Sequence, residues 1–229
     1  MRQLDILADE LTSKRYSMVL RELFDTVIRH RSEISKIDGD IIECGVWKGG
    51  YSIFLANAFP EKNIWVADSY KGFQPLNTAR YQYDRERHVP EYRLGEPDSQ
   101  DDFTLNAVMR RFNEYGLTSS RIKYLDGFVK DTLPDANIEK IALLRIDVDA
   151  YSATKEVLDE LYDKVQIGGY IIFDDSCLYE CIDAMKDFFN ERNMPHEVYH
   201  PITDELVNIN NPFTNSNSGF PSGCYIIKK

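Results

Sequence analysis

The stretch Ile141–Ser176, IALLRIDVDAYSATKEVLDELYDKVQIGGYIIFDDS, decides the fold. It predicts an apolar strand, a helix and a second apolar strand. A strand–helix–strand crossover within one sheet makes the two strands parallel, so their carboxyl ends lie at the same edge of the sheet. Aspartates follow both strands at that edge: Asp147 and Asp149 after the first, Asp174 and Asp175 after the second.

This edge of an open α/β sheet is where ligands bind. Carboxylates gathered there repel one another unless a hard cation joins them. We therefore predict Mg²⁺ or a similar divalent ion, held beneath a substrate. Asp149 has two interpretations, a substrate or outer-layer metal-site group and the N-cap of the following helix, and the cap is preferred.

The length and composition favour a single α/β domain. With 229 residues, 43% of them hydrophobic, the chain can bury one sizeable α/β core. A formal net charge of −11 argues against a broad basic face for nucleic acid or anionic lipid. The start of the sequence lacks a signal-peptide core and no apolar run approaches about 20 residues, so we expect a soluble, cytoplasmic protein without a membrane partner. The four cysteines form no CxxC pair and are expected to be free thiols.

A second motif precedes the deciding stretch. The strand Asp40–Gly45 leads into E-C-G-V-W-K-G-G, residues 43–50, and then a helix from Tyr51 to Phe59. Glycines before a helix N-terminus let a nucleotide-type ligand approach backbone N–H donors. The next strand ends at Asp68, where an acid can accept hydrogen bonds from ribose hydroxyls. The loop differs from the NAD pattern, because Trp47 stands where that pattern requires glycine.

A third strand, Arg121–Leu125, is followed by Asp126-Gly127-Phe128. This turn is placed to meet an adenine ring, although a simple turn is the competing interpretation. Residues 69–101 are polar and tyrosine-rich, and a loop of this length predicts a lid over the substrates, or else a solvated insertion or an oligomer arm.

The two ends of the chain complete the predicted domain. Residues 1–38 are expected to be a helical cover of a sheet face or an oligomer surface, and residues 39–229 a single ligand-binding domain. Gly168-Gly169 is predicted as the turn into the fifth strand, 203–222 as a loop, and 223–228 as a last strand antiparallel to the fifth. We expect a homo-oligomer, a dimer or a tetramer.

Three groups of residues together resemble the macrocin O-methyltransferase (TylF-type) family of S-adenosylmethionine (AdoMet)-dependent enzymes. They are E-C-G-V-W-K-G-G with W-V-A-D-S, L-D-G-F-V-K-D-T-L-P, and L-R-I-D-V-D-A-Y-S-A-T with G-G-Y-I-I-F-D-D-S. The resemblance runs from about Gly39 to Arg192. It implies a Rossmann-like class I methyltransferase, an α/β fold with a seven-stranded, mostly parallel sheet of order 3-2-1-4-5-7-6.

The resemblance also implies an activity: Mg²⁺-dependent transfer of a methyl group from AdoMet to a hydroxyl of a sugar or glycosylated metabolite. It implies metal ligation by Asp147, Asp174 and Asp175, with Asp147 as the general base. The residues implied in AdoMet binding are Glu43, Gly45, Val46, Trp47, Tyr51, Ser52, Asp68, Ser69, Asp126, Gly127, Phe128 and Asp147.

Other interpretations stay open from the residues alone. They are a catechol-type O-methyltransferase acting on an aromatic diol, a catalytically silent AdoMet-binding protein, and a carbohydrate-binding module with a structural cation. His196 and His200 are alternative bases, although a strand around them argues against a metal pair. Trp47 and Tyr151 could contact the acceptor or cofactor, but core packing is the preferred interpretation for each.

Overall fold

The computed structural model describes residues 2–19, 21–73, 100–210 and 223–229, with only the backbone described at 100 and 101. Residues 74–99 of the predicted lid at 69–101 therefore lie outside the described residues. The α-helices are α1 Arg2–Ser13, α2 Arg21–Lys36, α3 Gly50–Ala58, α4 Leu105–Glu114, α5 Val129–Thr132, α6 Tyr151–Leu161 and α7 Tyr179–Glu191. The strands are β1 Asp40–Cys44, β2 Ile64–Asp68, β3 Ile122–Asp126, β4 Ile141–Ile146, β5 Val165–Phe173, β6 Glu197–Tyr199, β7 Leu206–Asn208 and β8 Cys224–Ile227. None of the described helices combines the length and apolar character needed to cross a bilayer.

The strands form one sheet of order β3-β2-β1-β4-β5-β8-β6-β7. Strands β1 to β5 pair in parallel, and β8 pairs antiparallel with β5. The predicted order 3-2-1-4-5-7-6 is confirmed for seven of these strands, with β8 in the position predicted for the last strand. The prediction of a loop throughout 203–222 is wrong at Leu206–Asn208, because this short segment pairs with β6 as a hairpin.

The fifth strand begins earlier than predicted. Gly168 and Gly169 lie inside β5, where the register with β4 jumps from Ile141↔Val165 to Leu143↔Tyr170. Gly168 has a φ of 79° and its N–H donates to the Lys228 carbonyl at 2.7 Å. The glycine pair is thus an irregularity within a paired strand, not a turn that precedes it.

Two helical layers cover the sheet. One core contains α1, α2 and α3 against one sheet face, and the other contains α6 and α7 against the opposite face. Phe24 of α2 is fully buried, and its ring centroid lies 4.8 Å from that of Phe54 in α3. The N-terminal helices therefore share a continuous core with the sheet, so the domain boundary at residue 38 stays a prediction.

Candidate active site

The predicted acids lie at the carboxyl edge of the parallel strands. Asp147 follows β4 and Asp174 follows β5, and these strands end side by side because Ile146 pairs with Phe173. On the other side of β4, Cys44 at the end of β1 pairs with Ile146. The topology thus brings the acids of the deciding stretch next to the glycine-containing loop that follows β1.

Three of the carboxylates form a compact group. Asp147, Asp149 and Asp175 each have a carboxylate oxygen within 4.8 Å of such an oxygen in the other two. The backbone N–H of Asp149 donates to Asp175 Oδ2 at 3.0 Å, which ties the two acidic loops together. The preferred interpretation of Asp149 as a helix cap is wrong. Ala150 occupies the cap position of α6, and Asp149 has a left-handed φ of 55°, which places its carboxylate with the other acids.

The electrostatics of this group fit a divalent cation. Burial raises the pKa of the Asp147 carboxyl well above its usual range; Arg145 opposes the shift, and Asp174 and Asp149 reinforce it. Burial likewise raises the pKa of Asp175, reinforced by repulsion from Asp149 and Asp147. A hard cation bound by carboxylate oxygens would remove this repulsion, and the all-oxygen donor set is the type that Mg²⁺ prefers.

Asp174 is placed differently. Its Oδ1 lies 2.9 Å from Arg145 Nη2, which also lies 2.8 Å from Asp147 Oδ2. Its contact with Arg145 is an ion pair without hydrogen-bond geometry, and within the described residues Asp174 Oδ1 has no hydrogen-bond partner. Asp174 as a metal ligand stays a prediction, and Asp147 and Asp175 belong to both the predicted set and the compact group.

The β1–α3 loop is held tightly by Asp68. Asp68 Oδ2 accepts hydrogen bonds from the backbone N–H groups of Val46 at 2.6 Å and Trp47 at 3.0 Å, and Oδ1 accepts one from Tyr70 at 2.8 Å. Burial raises the pKa of Asp68, and these N–H donors oppose the shift. The described contacts of Asp68 shape the loop, and contact with a ribose stays a prediction.

Close backbone contacts within the protein explain the glycines of this loop. Gly45 has a φ of 84°, and a Cβ there would lie 1.6 Å from the Asp147 carbonyl oxygen. The N–H groups of Gly49 and Gly50 donate to the carbonyls of Val46 at 2.8 Å and Tyr16 at 3.0 Å. These two N–H groups therefore already have acceptors within the protein.

Three of the predicted cofactor-binding residues lie below the surface of the site. Glu43 is fully buried and bonds to Ser52 and to Arg145. Tyr51 is 2% exposed, and its hydroxyl donates to the Leu23 carbonyl at 3.0 Å. Contacts of Glu43, Tyr51 and Ser52 with AdoMet stay predictions, and in this structure these side chains support the loop from within.

The turn after β3 adjoins the same edge. Gly127 N–H donates to the Asp68 carbonyl at 3.0 Å, so this turn and the end of β2 lie side by side. Asp126 is exposed, and Phe128 occupies the N-cap position of α5. Ser69 donates to the Gly72 carbonyl at 2.5 Å and closes the turn after β2. Together these turns and the β1–α3 loop make a continuous rim.

The remaining candidates make local contacts. Tyr151 is buried and its hydroxyl donates to Asp187 at 2.8 Å, so the packing interpretation is confirmed for this residue. The His200 ring accepts from the Ile202 N–H at 3.2 Å within its own turn. The His196 ring lies 2.9 Å from Asn190 Oδ1 and is tilted against the Phe189 ring, just before β6 begins. These local contacts give no support to either histidine as a base.

Lys48, Arg111 and Asp102 form an ion-pair cluster, called the clasp below, that holds the glycine loop. The sequence analysis did not identify this cluster. Lys48 Nζ lies 2.9 Å from Asp102, and Arg111 Nη2 lies 2.5 Å from the same carboxylate. Arg111 also donates to the Lys48 carbonyl at 3.2 Å. Asp102 therefore joins the loop to α4. The available signal was the lysine within an otherwise glycine-rich and apolar loop, since a buried ammonium requires a partner.

We expect Asp102→Asn to weaken AdoMet binding by about three- to tenfold, because the substitution weakens the ion pairs of Asp102 with Lys48 and Arg111 that join the glycine loop to α4. Isothermal titration measures this change. Asp38→Asn is the matched control, since Asp38 pairs with Lys140 at 2.6 Å on the exposed amino edge of the sheet. Equal AdoMet affinity in both variants would show that the clasp does not shape the binding loop.

Arg145 is the second residue missed from the sequence. It is fully buried in β4 and contacts Glu43, Asp147 and Asp174. A charged residue inside the apolar run I-A-L-L-R-I was a usable signal, because buried charges are almost always paired.

Comparison with known proteins agrees with this geometry. The sequence profile of the family described as Macrocin-O-methyltransferase (TylF) matches residues 6–205. The chain is 35% identical over 180 residues to mycinamicin III 3''-O-methyltransferase of Micromonospora griseorubida, covering 76% of this chain and 66% of that protein. It is 35% identical over 157 residues to 8-demethyl-8-(2,3-dimethoxy-alpha-L-rhamnosyl)-tetracenomycin-C 4'-O-methyltransferase of Streptomyces olivaceus, covering 66% of this chain and 58% of that protein. The chain thus matches less than two thirds of the length of these relatives.

The structure is similar to that of the O-methyltransferase NovP, with a TM-score of 0.72 and 26% identity. The similarity covers 99% of this chain and 98% of the NovP chain. The predicted class I methyltransferase fold is confirmed by this likeness together with the strand order. Because the profile match extends across the sheet strands β1 to β6 and the acidic edge, the chain belongs to the macrocin-O-methyltransferase (TylF) family.

Proposed function

We propose that the protein is an AdoMet-dependent, divalent-metal-dependent O-methyltransferase that acts on a hydroxyl of a sugar or glycosylated metabolite. One observation carries the proposal. The acids Asp147, Asp149 and Asp175 meet at the same sheet edge as the β1–α3 loop, in a chain of this family. A silent binding protein or a carbohydrate-binding module would not require the loop and the acids together.

The rim supports a place for AdoMet. The β1–α3 loop, the end of β2 and the turn after β3 are connected by hydrogen bonds through Asp68. An elongated ligand with a nucleoside at one end could lie along this rim with its sulfonium next to Asp147. Asp126, exposed beside Asp68, is the acid best placed to meet polar edges of the nucleoside.

The reaction that suits this arrangement is a single displacement. The hydroxyl oxygen forms a bond with the methyl carbon as the carbon–sulfur bond breaks, and the electron pair goes to sulfur to give S-adenosylhomocysteine. Asp147 accepts the hydroxyl proton as general base. Alignment of the two reactants supplies much of the remaining acceleration. A bound divalent ion would lower the pKa of the acceptor hydroxyl and orient it.

Asp147 and Asp175 are the proposed common ligands of that ion. Asp149 belongs to the compact group and Asp174 to the set that the sequence predicts. We expect only one of these two acids to bind the ion directly. Asp149→Asn and Asp174→Asn should then differ in Mn²⁺ affinity by at least about threefold, because loss of a carboxylate ligand weakens a cation site more than loss of a nearby carboxylate that does not bind the ion. Electron paramagnetic resonance of free Mn²⁺ gives both affinities, and equal losses would mean that both acids contribute alike.

The acceptor class follows from the relatives, one of which is named for a rhamnosyl substrate. The direct test incubates the protein with AdoMet, Mg²⁺ and panels of glycosides, nucleotide sugars and catechols, and detects +CH₂ products by mass spectrometry. Product from a glycoside that disappears with a chelator is the expected result. Product only from catechols would favour the aromatic-diol enzyme, and no product with intact AdoMet binding would favour a silent binder.

Two further properties belong to the proposal. A cytoplasmic location agrees with the four free cysteines, of which only Cys177 is exposed. A homo-oligomer, a dimer or a tetramer, is expected, and light scattering coupled to size-exclusion chromatography measures its mass directly.

A further inference from the structure

Arg145 is a cation at an unusual place. It is fully buried in β4, between the buried residues Leu144 and Ile146. A guanidinium moved out of water has a large desolvation cost, so its position requires compensation by several acceptors. Because a hydrophobic residue would satisfy the packing of this strand at a lower desolvation cost, the contacts of the guanidinium indicate what it is for.

The guanidinium connects three strands. Nη1 bonds to Glu43 of β1, and Nη2 lies 2.8 Å from Asp147 Oδ2 and 2.9 Å from Asp174 Oδ1. Both aspartates therefore form ion pairs with one nitrogen, without hydrogen-bond geometry among the described residues, and this shared contact brings their carboxylates together at the ends of β4 and β5. With the three acids ionised, their charge exceeds that of the arginine, so the rim keeps an excess of negative charge for a second cation.

The guanidinium plane is fixed from the other side by Tyr51. The Arg145 Cζ lies 4.2 Å from the Tyr51 ring centroid, within the range of a cation–π contact. The Tyr51 hydroxyl donates to the Leu23 carbonyl of α2 at 3.0 Å, and the ring packs against Phe24 at 4.8 Å. The chain of contacts thus runs from α2 through Tyr51 and Arg145 to the two aspartates.

We propose that Arg145 is a positioning residue, whose buried guanidinium holds the Asp147 and Asp174 carboxylates at the spacing that the divalent ion and the acceptor hydroxyl require. Arg145 does not contact the reacting atoms itself. The inference rests on the proposed metal site. Lysine could not replace the arginine, because an ammonium is a point charge and cannot direct separate nitrogens to Glu43 and to the aspartate pair while keeping the cation–π contact with Tyr51.

The test compares Arg145→Lys with the wild-type protein, using Mn²⁺ alone as probe and electron paramagnetic resonance as the readout. We expect about tenfold weaker Mn²⁺ binding in Arg145→Lys, a kcat lower by at least tenfold, and a smaller change in the KM for AdoMet. Lys155→Met is the matched control, because Lys155 is also a buried cation between two acids, Asp159 and Glu191, each at 2.7 Å. This control should lose thermal stability and keep wild-type Mn²⁺ affinity.

The possible outcomes distinguish a failure of the proposed metal site from a failure of the positioning role of Arg145. Wild-type protein that binds no Mn²⁺ would overturn the metal site and this inference with it. Wild-type binding together with unchanged Mn²⁺ affinity and kcat in Arg145→Lys would overturn the inference alone.

If Arg145→Lys does not melt cooperatively, the pair Tyr51→Phe and Tyr51→Leu decides the matter, since phenylalanine keeps the ring beneath the guanidinium and leucine removes it. At least threefold weaker Mn²⁺ binding in Tyr51→Leu than in Tyr51→Phe supports the positioning role. Equal binding in these two variants contradicts it.

Discussion

Asp147→Asn should lower kcat for methyl transfer by about 10²–10⁴-fold, the range of a general base. The amide cannot accept the hydroxyl proton, and it is also a poorer cation ligand than the carboxylate. Burial and neighbouring acids disfavour the charged form of Asp147, so binding of a cation or a proton at the site would stabilise this carboxyl group. Steady-state kinetics at saturating AdoMet and Mg²⁺ measure the effect.

Asp163→Asn is the control for this experiment. Asp163 forms an exposed ion pair with Arg192 at 2.7 Å on the surface of the protein, so loss of its charge should leave kcat within about twofold, as expected for surface pairs of small net energy. A kcat for Asp147→Asn within threefold of wild type would exclude this residue as the base. The proton would then go to another acceptor, and the neighbouring acids would be the next groups to test.

Gly45→Ala is the second substitution for which we expect a large effect, on both stability and activity. A Cβ at this position would lie 1.6 Å from the Asp147 carbonyl oxygen and 2.5 Å from its carbonyl carbon, so the end of β4 would have to move. The left-handed φ of 84° adds about 1–2 kcal/mol for a residue other than glycine. We expect the free energy of unfolding to fall by about 3 kcal/mol or more, the range of severe strain or overpacking. Activity should be lost as well, because Asp147 moves with its backbone.

The chain provides a matched glycine for comparison. Gly116 has a φ of 70°, and a Cβ there would meet nothing within 4 Å. Gly116→Ala therefore measures the backbone cost alone, about 1–2 kcal/mol. Chemical denaturation gives both values. Equal losses in the two variants would show that the contact between Gly45 and Asp147 can relax without consequence.

Much of the sheet could be predicted because its strands have simple local signals. The strands β1 to β4 are short apolar runs that end at an acid or a glycine, and parallel pairing then places those acids at one edge. The start of β5 could not be predicted, because Gly168-Gly169 usually indicates a turn and only pairing with β4 and β8 keeps it in the strand. Similarly, β7 is three residues long and forms only as the partner of β6.

The site was less predictable than the fold, for a physical reason. Asp149 precedes a helix, which locally favours a cap, and its left-handed backbone is decided by contact with the loop after β5. Arg145 could be recognised as a buried charge, but its three partners come from three different strands. Glu43 and Ser52 are predicted to bind the cofactor, and the structure turns their side chains inward. Side-chain direction at a strand end depends on packing that no local pattern records.

The position of β8 has a consequence for synthesis of the protein. This strand lies between β5 and β6 in the sheet, although it follows both along the chain. A nascent chain that has reached residue 210 therefore contains all the acids of the site, while β5 still has an unpaired edge of the kind that favours aggregation. Because a domain generally folds as a unit, we expect this sheet to close only after Cys224–Ile227 has been synthesised and has inserted between β5 and β6. Chaperone dependence and slow maturation are the expected cellular signs of this strand order.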